Sequence, residues 1–262
     1  SLRRIFSGME YEDAIEKCNK DYLNTERQSL KLRLHQKLFE LAFLQNYHAG
    51  KLKHLLNHKM RSGKSIELLW ICNILLTRCS MTKILIMTSV PATINSFIKA
   101  LDGFIEFKHI QYKNQDEFLD IDPSFKGIGF CSVQYLKMGN DELKKKKQNK
   151  LSELNFDCLI FDESHHGSSN KNTKDTIISK SDIKKLIHSK LVIFASGTGD
   201  KTKHYYDIPS QCVYDWGIID EGCMKQIGLG ENDESKKFMI LRHGEDFIQS
   251  LADDTLDRDY SK

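Results

Sequence analysis

The seven cysteines of this 262-residue chain include no C-x-x-C pair, so the spacing that a zinc ribbon or a dithiol redox centre needs is missing. Several, among them Cys72, Cys131 and Cys158, sit inside apolar runs and read as buried, reduced thiols. No apolar segment approaches the roughly 20 residues that a membrane span requires, and no stretch reads as a secretory signal. These absences point to an intracellular protein, cytoplasmic or nuclear, with no membrane partner. Ten histidines invite a metal, yet His165-His166 has no partner histidine at helical i, i+4 spacing and no cysteine pair nearby, so no structural zinc site is expected. The net charge is only +3, too small to diagnose nucleic-acid binding by itself. Its one dense basic run, Lys144-Lys145-Lys146-Lys147, reads first as a solvated helix face.

Against these absences stands Met60-Arg61-Ser62-Gly63-Lys64-Ser65, placed between the apolar run Leu52-Lys53-His54-Leu55-Leu56 and the stretch Ile66-Glu67-Leu68-Leu69-Trp70-Ile71-Cys72. A strand, a glycine-bearing turn and a buried helix in that order make a phosphate cradle. Gly63 lets the backbone turn beside a phosphate, and the amides of Arg61 to Ser65 face it from the positive end of the helix. Lys64 would reach the β- and γ-phosphates of ATP while the Ser65 hydroxyl ligates Mg²⁺. The motif departs from its usual form at the position five residues before Gly63, where glycine is replaced by His58.

A second motif, Asp162-Glu163-Ser164-His165-His166, follows the apolar run Phe156-Asp157-Cys158-Leu159-Ile160-Phe161. An aspartate at the end of a buried parallel strand suits a second Mg²⁺-directed group, and Glu163 could polarise a water for attack on the γ-phosphate. Between the two motifs, short apolar runs near 52–57, 83–88, 105–111, 127–132, 156–161 and 190–195 alternate with helical stretches. That alternation predicts an α/β domain with a mainly parallel sheet and helices on both faces.

With these residues the chain resembles the first RecA-like domain of superfamily 2 helicases and translocases, in the DExH group that includes restriction-enzyme motor subunits. Asp162-Glu163-Ser164-His165 carries the resemblance most strongly, and other segments fall in the family's order. Arg33-Leu34-His35-Gln36 is similar to an element whose glutamine, here Gln36, reads the adenine edge. Thr88-Ser89-Val90-Pro91 and Ser132-Val133-Gln134 resemble two motifs that contact a nucleic-acid backbone, which implies roles there for Thr88, Pro91, Ser132 and Gln134. Ser196-Gly197-Thr198 is similar to motif III. It implies that His165 links the nucleotide state to Ser196 and Thr198.

The resemblance implies a RecA-like P-loop domain over 33–225, a helical extension over 1–32 and a linker over 226–262 leading to a second RecA-like domain. Within 1–48, Leu30, Leu34, Leu38, Leu41 and Leu44 recur at helical spacing, while Phe238-Met239-Ile240-Leu241 reads as a strand entering the linker. Ser1 in place of Met points to a piece of a longer chain. No Gln-x-x-Gly-Arg-x-x-Arg element is present, so the arginine finger of the second domain is missing and slow turnover is expected of this piece. The nucleic acid implied is DNA ahead of RNA. The polar stretch after His166 reads as a loop able to gate the carboxylates.

Two other readings stay open on sequence: a P-loop ATPase of another class, and a catalytically silent module that keeps a nucleotide fold. A nuclease reading of Glu234-Ser235-Lys236 with Asp122 is set aside, because the residues around it look like a turn-rich loop and not a buried strand.

Overall fold

The computed structural model describes residues 27–59, 62–89, 91–162, 191–197, 199–228 and 233–244. Seven strands, Lys53–His58 (β1), Lys83–Thr88 (β2), Tyr112–Lys113 (β3), Gly127–Ser132 (β4), Cys158–Asp162 (β5), Leu191–Ser196 (β6) and Val213–Trp216 (β7), form one sheet. Their order is β3-β4-β2-β5-β6-β1-β7, and every pairing is parallel. The helices are Leu34–His48 (α1), Lys64–Arg78 (α2), Ala92–Gly103 (α3), Val133–Lys137 (α4), Asp141–Leu154 (α5), Asp200–Tyr206 (α6), Ile218–Gly228 (α7) and Asp233–His243 (α8).

Both faces of the sheet are covered, so the central strands are apolar over most of their length, with polar residues at their carboxyl ends, and the two-residue repeat sorts their apolar side chains between two cores. Ile84, Ile86, Ile128, Phe130, Ile160 and Ile193 enter one core together with Leu68 and Leu75 of α2 and Phe97 of α3. Leu85, Met87, Cys131, Leu159, Phe161 and Phe194 enter the other, against Leu136 of α4 and Leu151 and Leu154 of α5. A third cluster joins Leu34 and Leu38 of α1 to Trp216, Met224 of α7 and Met239 of α8. The α/β fold with a parallel sheet expected from the alternation is the fold observed.

Three expectations differ from the structure. The strand expected at 105–111 is a 3-10 turn, Ile105–Phe107, and the strand that follows is only Tyr112–Lys113 at the sheet edge. Phe107 and Ile110 are buried and Phe104 packs against the same core. Apolar residues three apart suit the three-residue repeat of a 3-10 coil, not the alternation of a strand. The apolar run Phe238-Met239-Ile240-Leu241 lies within α8. Ser235 and Met239, four apart, are its buried residues, while Leu241 faces outward, which is helical spacing. Finally, Leu30 is not part of α1: residues 27–33 contain no helix. Gln28 bridges Phe104, and Glu106 accepts from the Leu30 N–H and the Ser29 hydroxyl. The remainder of the helical extension expected over 1–32 lies outside the described residues.

The basic run falls on α5. Lys145 and Lys146 are exposed, as a solvated face requires. Lys147 is instead 3% exposed. Its ammonium donates to the Tyr135 and Met138 carbonyls at 2.6 and 3.0 Å and sits 3.9 Å from the Tyr135 ring centre. One lysine of the four therefore ties α5 to α4. The Glu234-Ser235-Lys236 triplet lies in α8, where Ser235 donates to Gln226. This is the geometry of a helix-to-helix tie, not of a nuclease strand.

Candidate functional site

Strand β1 ends at His58, and α2 begins at Lys64, capped by Gly63 in a left-handed conformation, φ +92°. A side chain is disfavoured there twice over, by the backbone angle and by space. A Cβ at Gly63 would lie 2.8 Å from Gln36 Nε2. The helix that follows has 15 residues, long enough to present a positive end to an anion. Lys64 is 9% exposed, and its ammonium donates to the carbonyls of His58 and Lys59 at 3.1 and 3.2 Å. The cation is thus folded back onto the loop that precedes it.

Register aligns the other sequence-predicted residues along the carboxyl edge of the sheet. Thr88 pairs with Ser132 on one side and with Asp162 on the other. Asn57, the penultimate residue of β1, pairs with Ser196 and with Asp215. All of these strands are parallel, so their ends share the edge from which the β1–α2 turn departs. A cleft of about 520 Å³ at that edge is lined by Gly63, Lys64, Ser65 and Asp162, together with Thr93, Ser96 and Lys99 from α3.

Gln36, 4% exposed, lies beside the loop. Its side-chain oxygen accepts from the Arg33 N–H at 2.9 Å, closing the cap of α1, and its amide nitrogen approaches the Gly63 carbonyl at 3.4 Å. Ser132 is buried and its hydroxyl is used inside the protein. It donates to Gln115 Oε1 at 2.9 Å and accepts from the Tyr135 N–H, capping α4. Gln134 on the same short helix is exposed, and Pro91 caps α3. Arg61, Glu163, His165 and Thr198 lie outside the described residues, as does the polar loop after His166.

Sequence reading missed two groups. The first surrounds Asn57, whose carbonyl oxygen accepts from the Gly199 N–H at 2.7 Å and whose amide donates to Asp215. It links the end of β1 to the turn after β6. The second lies beside the connection between β1 and α2, where His35, His58 and Glu67 are each 1 to 2% exposed. Burial drives the His35 pKa down to about 4 and that of His58 down to about 3, with Lys64 adding to the depression at His58. Burial drives Glu67 the other way, up to about 8, with His35 and Lys64 pulling against the rise. His58 Nδ1 and Glu67 Oε2 are 3.0 Å apart, yet at neutral pH the histidine is uncharged and the acid largely protonated, so the contact is no ion pair. Glu67 also occupies the first turn of α2. Held neutral, it leaves the positive end of that helix unopposed.

Residues 29–199 match the family ResIII, described as "Type III restriction enzyme, res subunit". The chain belongs to this family. Membership agrees with the superfamily 2 resemblance carried by Asp162 and its neighbours. A curated relative, the Mycoplasma pneumoniae protein described as "Putative type II restriction enzyme and methyltransferase RM.MpnORF110P C-terminus", is 29% identical over 133 residues. The match covers 47% of this chain and 18% of that protein. Among solved structures, the Sulfolobus solfataricus SWI2/SNF2 ATPase core in complex with dsDNA superimposes with a TM-score of 0.53 at 16% identity. That likeness covers 83% of this chain and 44% of the other. It establishes the same RecA-like fold. The chain therefore spans less than half the length of either of these proteins.

Proposed function

We propose that this ResIII-family domain is the ATP-binding half of a helicase or translocase motor acting on DNA. The observation that carries the reading is the convergence of Gly63, Lys64, Ser65 and Asp162 on one cleft at the carboxyl edge of a parallel sheet. The residues present fit ATP·Mg²⁺. The left-handed Gly63 leaves room for close approach, and the first residues of a long helix line the cleft, where such a helix start favours an anion. Lys64 supplies a cation, while a hydroxyl and a carboxylate supply the hard oxygen ligands that Mg²⁺ takes.

In this reading Lys64 leaves the His58 and Lys59 carbonyls to meet phosphate oxygens, and Ser65 and Asp162 hold the metal. Mg²⁺ would neutralise charge on the phosphates when bound. Arg61 and Ser62 contribute to the cradle, Gln36 faces the base, and Glu163 takes the proton of the attacking water. His165, Ser196 and Thr198 relay the nucleotide state toward a second RecA-like domain. Asn57 is a positioning residue for the same relay, because it fixes Gly199 directly after Thr198. Without the partner domain, and without the arginine that such a domain supplies, turnover is expected to fall by about 10³–10⁵-fold.

Nucleic acid is proposed to track along the edge carrying Thr88, Pro91, Ser132 and Gln134. Because the Ser132 hydroxyl already caps α4, backbone amides there and the exposed Gln134 are the groups expected to reach phosphates. A relative described as a restriction enzyme and a neighbour bound to dsDNA support DNA over RNA. A unit extending to Gly244 is also proposed, since Met239 of α8 shares a core with Leu34 and Trp216.

The test is calorimetry of ATP·Mg²⁺ with this chain, with Lys64→Ala, and with Glu163→Gln as a variant expected to bind. Binding lost in Lys64→Ala alone supports the site. Equal binding by the parent and Lys64→Ala would reject it.

A further inference from the structure

Directly behind the phosphate loop, three elements contribute one buried ligating side chain each: His35 from α1, His58 from the end of β1, and Glu67 from α2. One ligand atom from each lies within 4.8 Å of the others. For a tetrahedral ion with bonds of about 2.0–2.1 Å, ligand atoms stand about 3.4 Å apart, so a small inward movement closes the set. His58 Nδ1 and Glu67 Oε2, at 3.0 Å, are already near that spacing.

A second observation concerns what these atoms lack. Apart from the 3.0 Å approach of His58 Nδ1 to Glu67 Oε2, these two atoms and Glu67 Oε1 are fully enclosed with no hydrogen-bond partner, and the hydroxyl of Ser62, whose carbonyl meets His35, is likewise enclosed. Orphaned polar atoms in a dry interior cost about 1–3 kcal/mol each, and a buried cluster whose atoms meet only one another has room in its chemistry for an occupant. The His35 ring is held by the loop itself. His35 Nε2 lies 2.9 Å from the Ser62 carbonyl, and a carbonyl only accepts, so Nε2 carries the proton and the lone pair is on Nδ1. A ligating imidazole that donates its other N–H to a backbone carbonyl is the usual support for a metal ligand. Stacking of His35 on Trp216, with ring centres 5.1 Å apart, holds the ring plane as well.

We propose that His35, His58 and Glu67 bind a divalent first-row transition metal, with Zn²⁺ as the type, and that this ion braces the phosphate loop from behind. The donor set of two imidazoles and one carboxylate suits Zn²⁺ and not Mg²⁺, which prefers all-oxygen shells and retained waters. Ser62 or a water completes the shell. The site is separate from the Ser65 and Asp162 pair, which faces the cleft. It also gives a use to the residue that breaks the loop motif: His58, in place of glycine, ties β1 to α1 and α2 through the ion. Neither half of this idea depends on ATP being the ligand in front.

The experiment is Co²⁺ and Zn²⁺ titration of this chain after chelator treatment and dialysis, read by visible d–d absorption and by bound-metal analysis. One equivalent is expected, reduced at least 10-fold in affinity by Glu67→Gln or His58→Asn and kept in Asp162→Asn. Failure of the folded parent to take up an equivalent overturns the proposal. So does uptake that Asp162→Asn abolishes while Glu67→Gln leaves it intact. Should the buried variants fail to fold, X-ray absorption of the Zn²⁺-loaded parent decides. Two imidazoles in the shell support the site, and a shell without them rejects it.

Discussion

Asn57 accepts a hydrogen bond from the backbone N–H of Gly199 at 2.7 Å, across the gap between the end of β1 and the turn after β6. The approach is so close that a Cβ at Gly199 would lie 2.6 Å from the Asn57 amide. The strand that leads into the loop proposed to hold phosphate is thereby fastened to the segment expected to report nucleotide state.

Replacement of Asn57 by Ala removes that acceptor together with the donor to Asp215. A loss of about 1–2 kcal/mol is expected in urea unfolding. In a longer chain containing the second RecA-like domain, nucleic-acid stimulation of ATP hydrolysis should fall more than ATP affinity does. A stability change below about 0.3 kcal/mol would show the bond to be incidental.

At Gly63, Ala must adopt φ +92° and push against Gln36. Gly63→Ala is expected to cost about 1–3 kcal/mol in thermal unfolding and to abolish ATP binding. In the Gln36→Ala background the steric part is relieved and the conformational part remains, so the second cost should be smaller but not zero.

The buried ammonium on α5 separates structural from solvated lysines in one run. Lys147→Met strands two carbonyls and loses the contact with the Tyr135 ring, for an expected loss of about 1–3 kcal/mol. Lys145→Met and Lys146→Met should each stay within about 0.5 kcal/mol of the parent. Equal effects at all three positions would contradict the assignment.

His54 is buried on β1, with Nε2 donating to the Lys51 carbonyl and Nδ1 facing the Tyr214 hydroxyl, both at 2.9 Å. Burial lowers its pKa below 6.5. The sign follows from linkage. Below pH 6.5 the unfolded chain binds a proton that the fold refuses, so the stability this neutral ring contributes is present above 6.5 and lost as pH falls. His35 and His58, lowered to about 4 and about 3, act in the same direction. His54→Gln should therefore flatten unfolding free energy against pH between pH 6.5 and 5 by up to about 1.4 kcal/mol per pH unit. An unchanged slope would mean that His54 titrates normally in the fold.

Much of the site was legible before the structure, because each motif ends an apolar run and a parallel strand delivers its last residue to one edge. Thr88, Ser132, Asp162 and Ser196 follow that logic: register sets Thr88 between Ser132 and Asp162, and Ser196 beside Asn57. Phe104, Phe107 and Ile110 show where it fails. Their three-residue spacing suits a 3-10 turn, but within a short apolar run it reads as a strand until burial separates them from their neighbours and Gln28 and Glu106 take the local backbone groups. Phe238 to Leu241 likewise read as a strand until Ser235 and Met239 are seen facing inward together.

By itself the sequence determined the parallel α/β order and the ends of the strands that meet the cleft, because short continuous apolar runs between helical stretches and the glycine at 63 are local, backbone-level signals. Only the tertiary structure decided which polar residues are enclosed. His35, His58 and Glu67 stand far apart or out of phase along the chain and carry no shared spacing. Their meeting depends on how α1, β1 and α2 pack, and it is that packing that removes the water which would otherwise satisfy and ionise them.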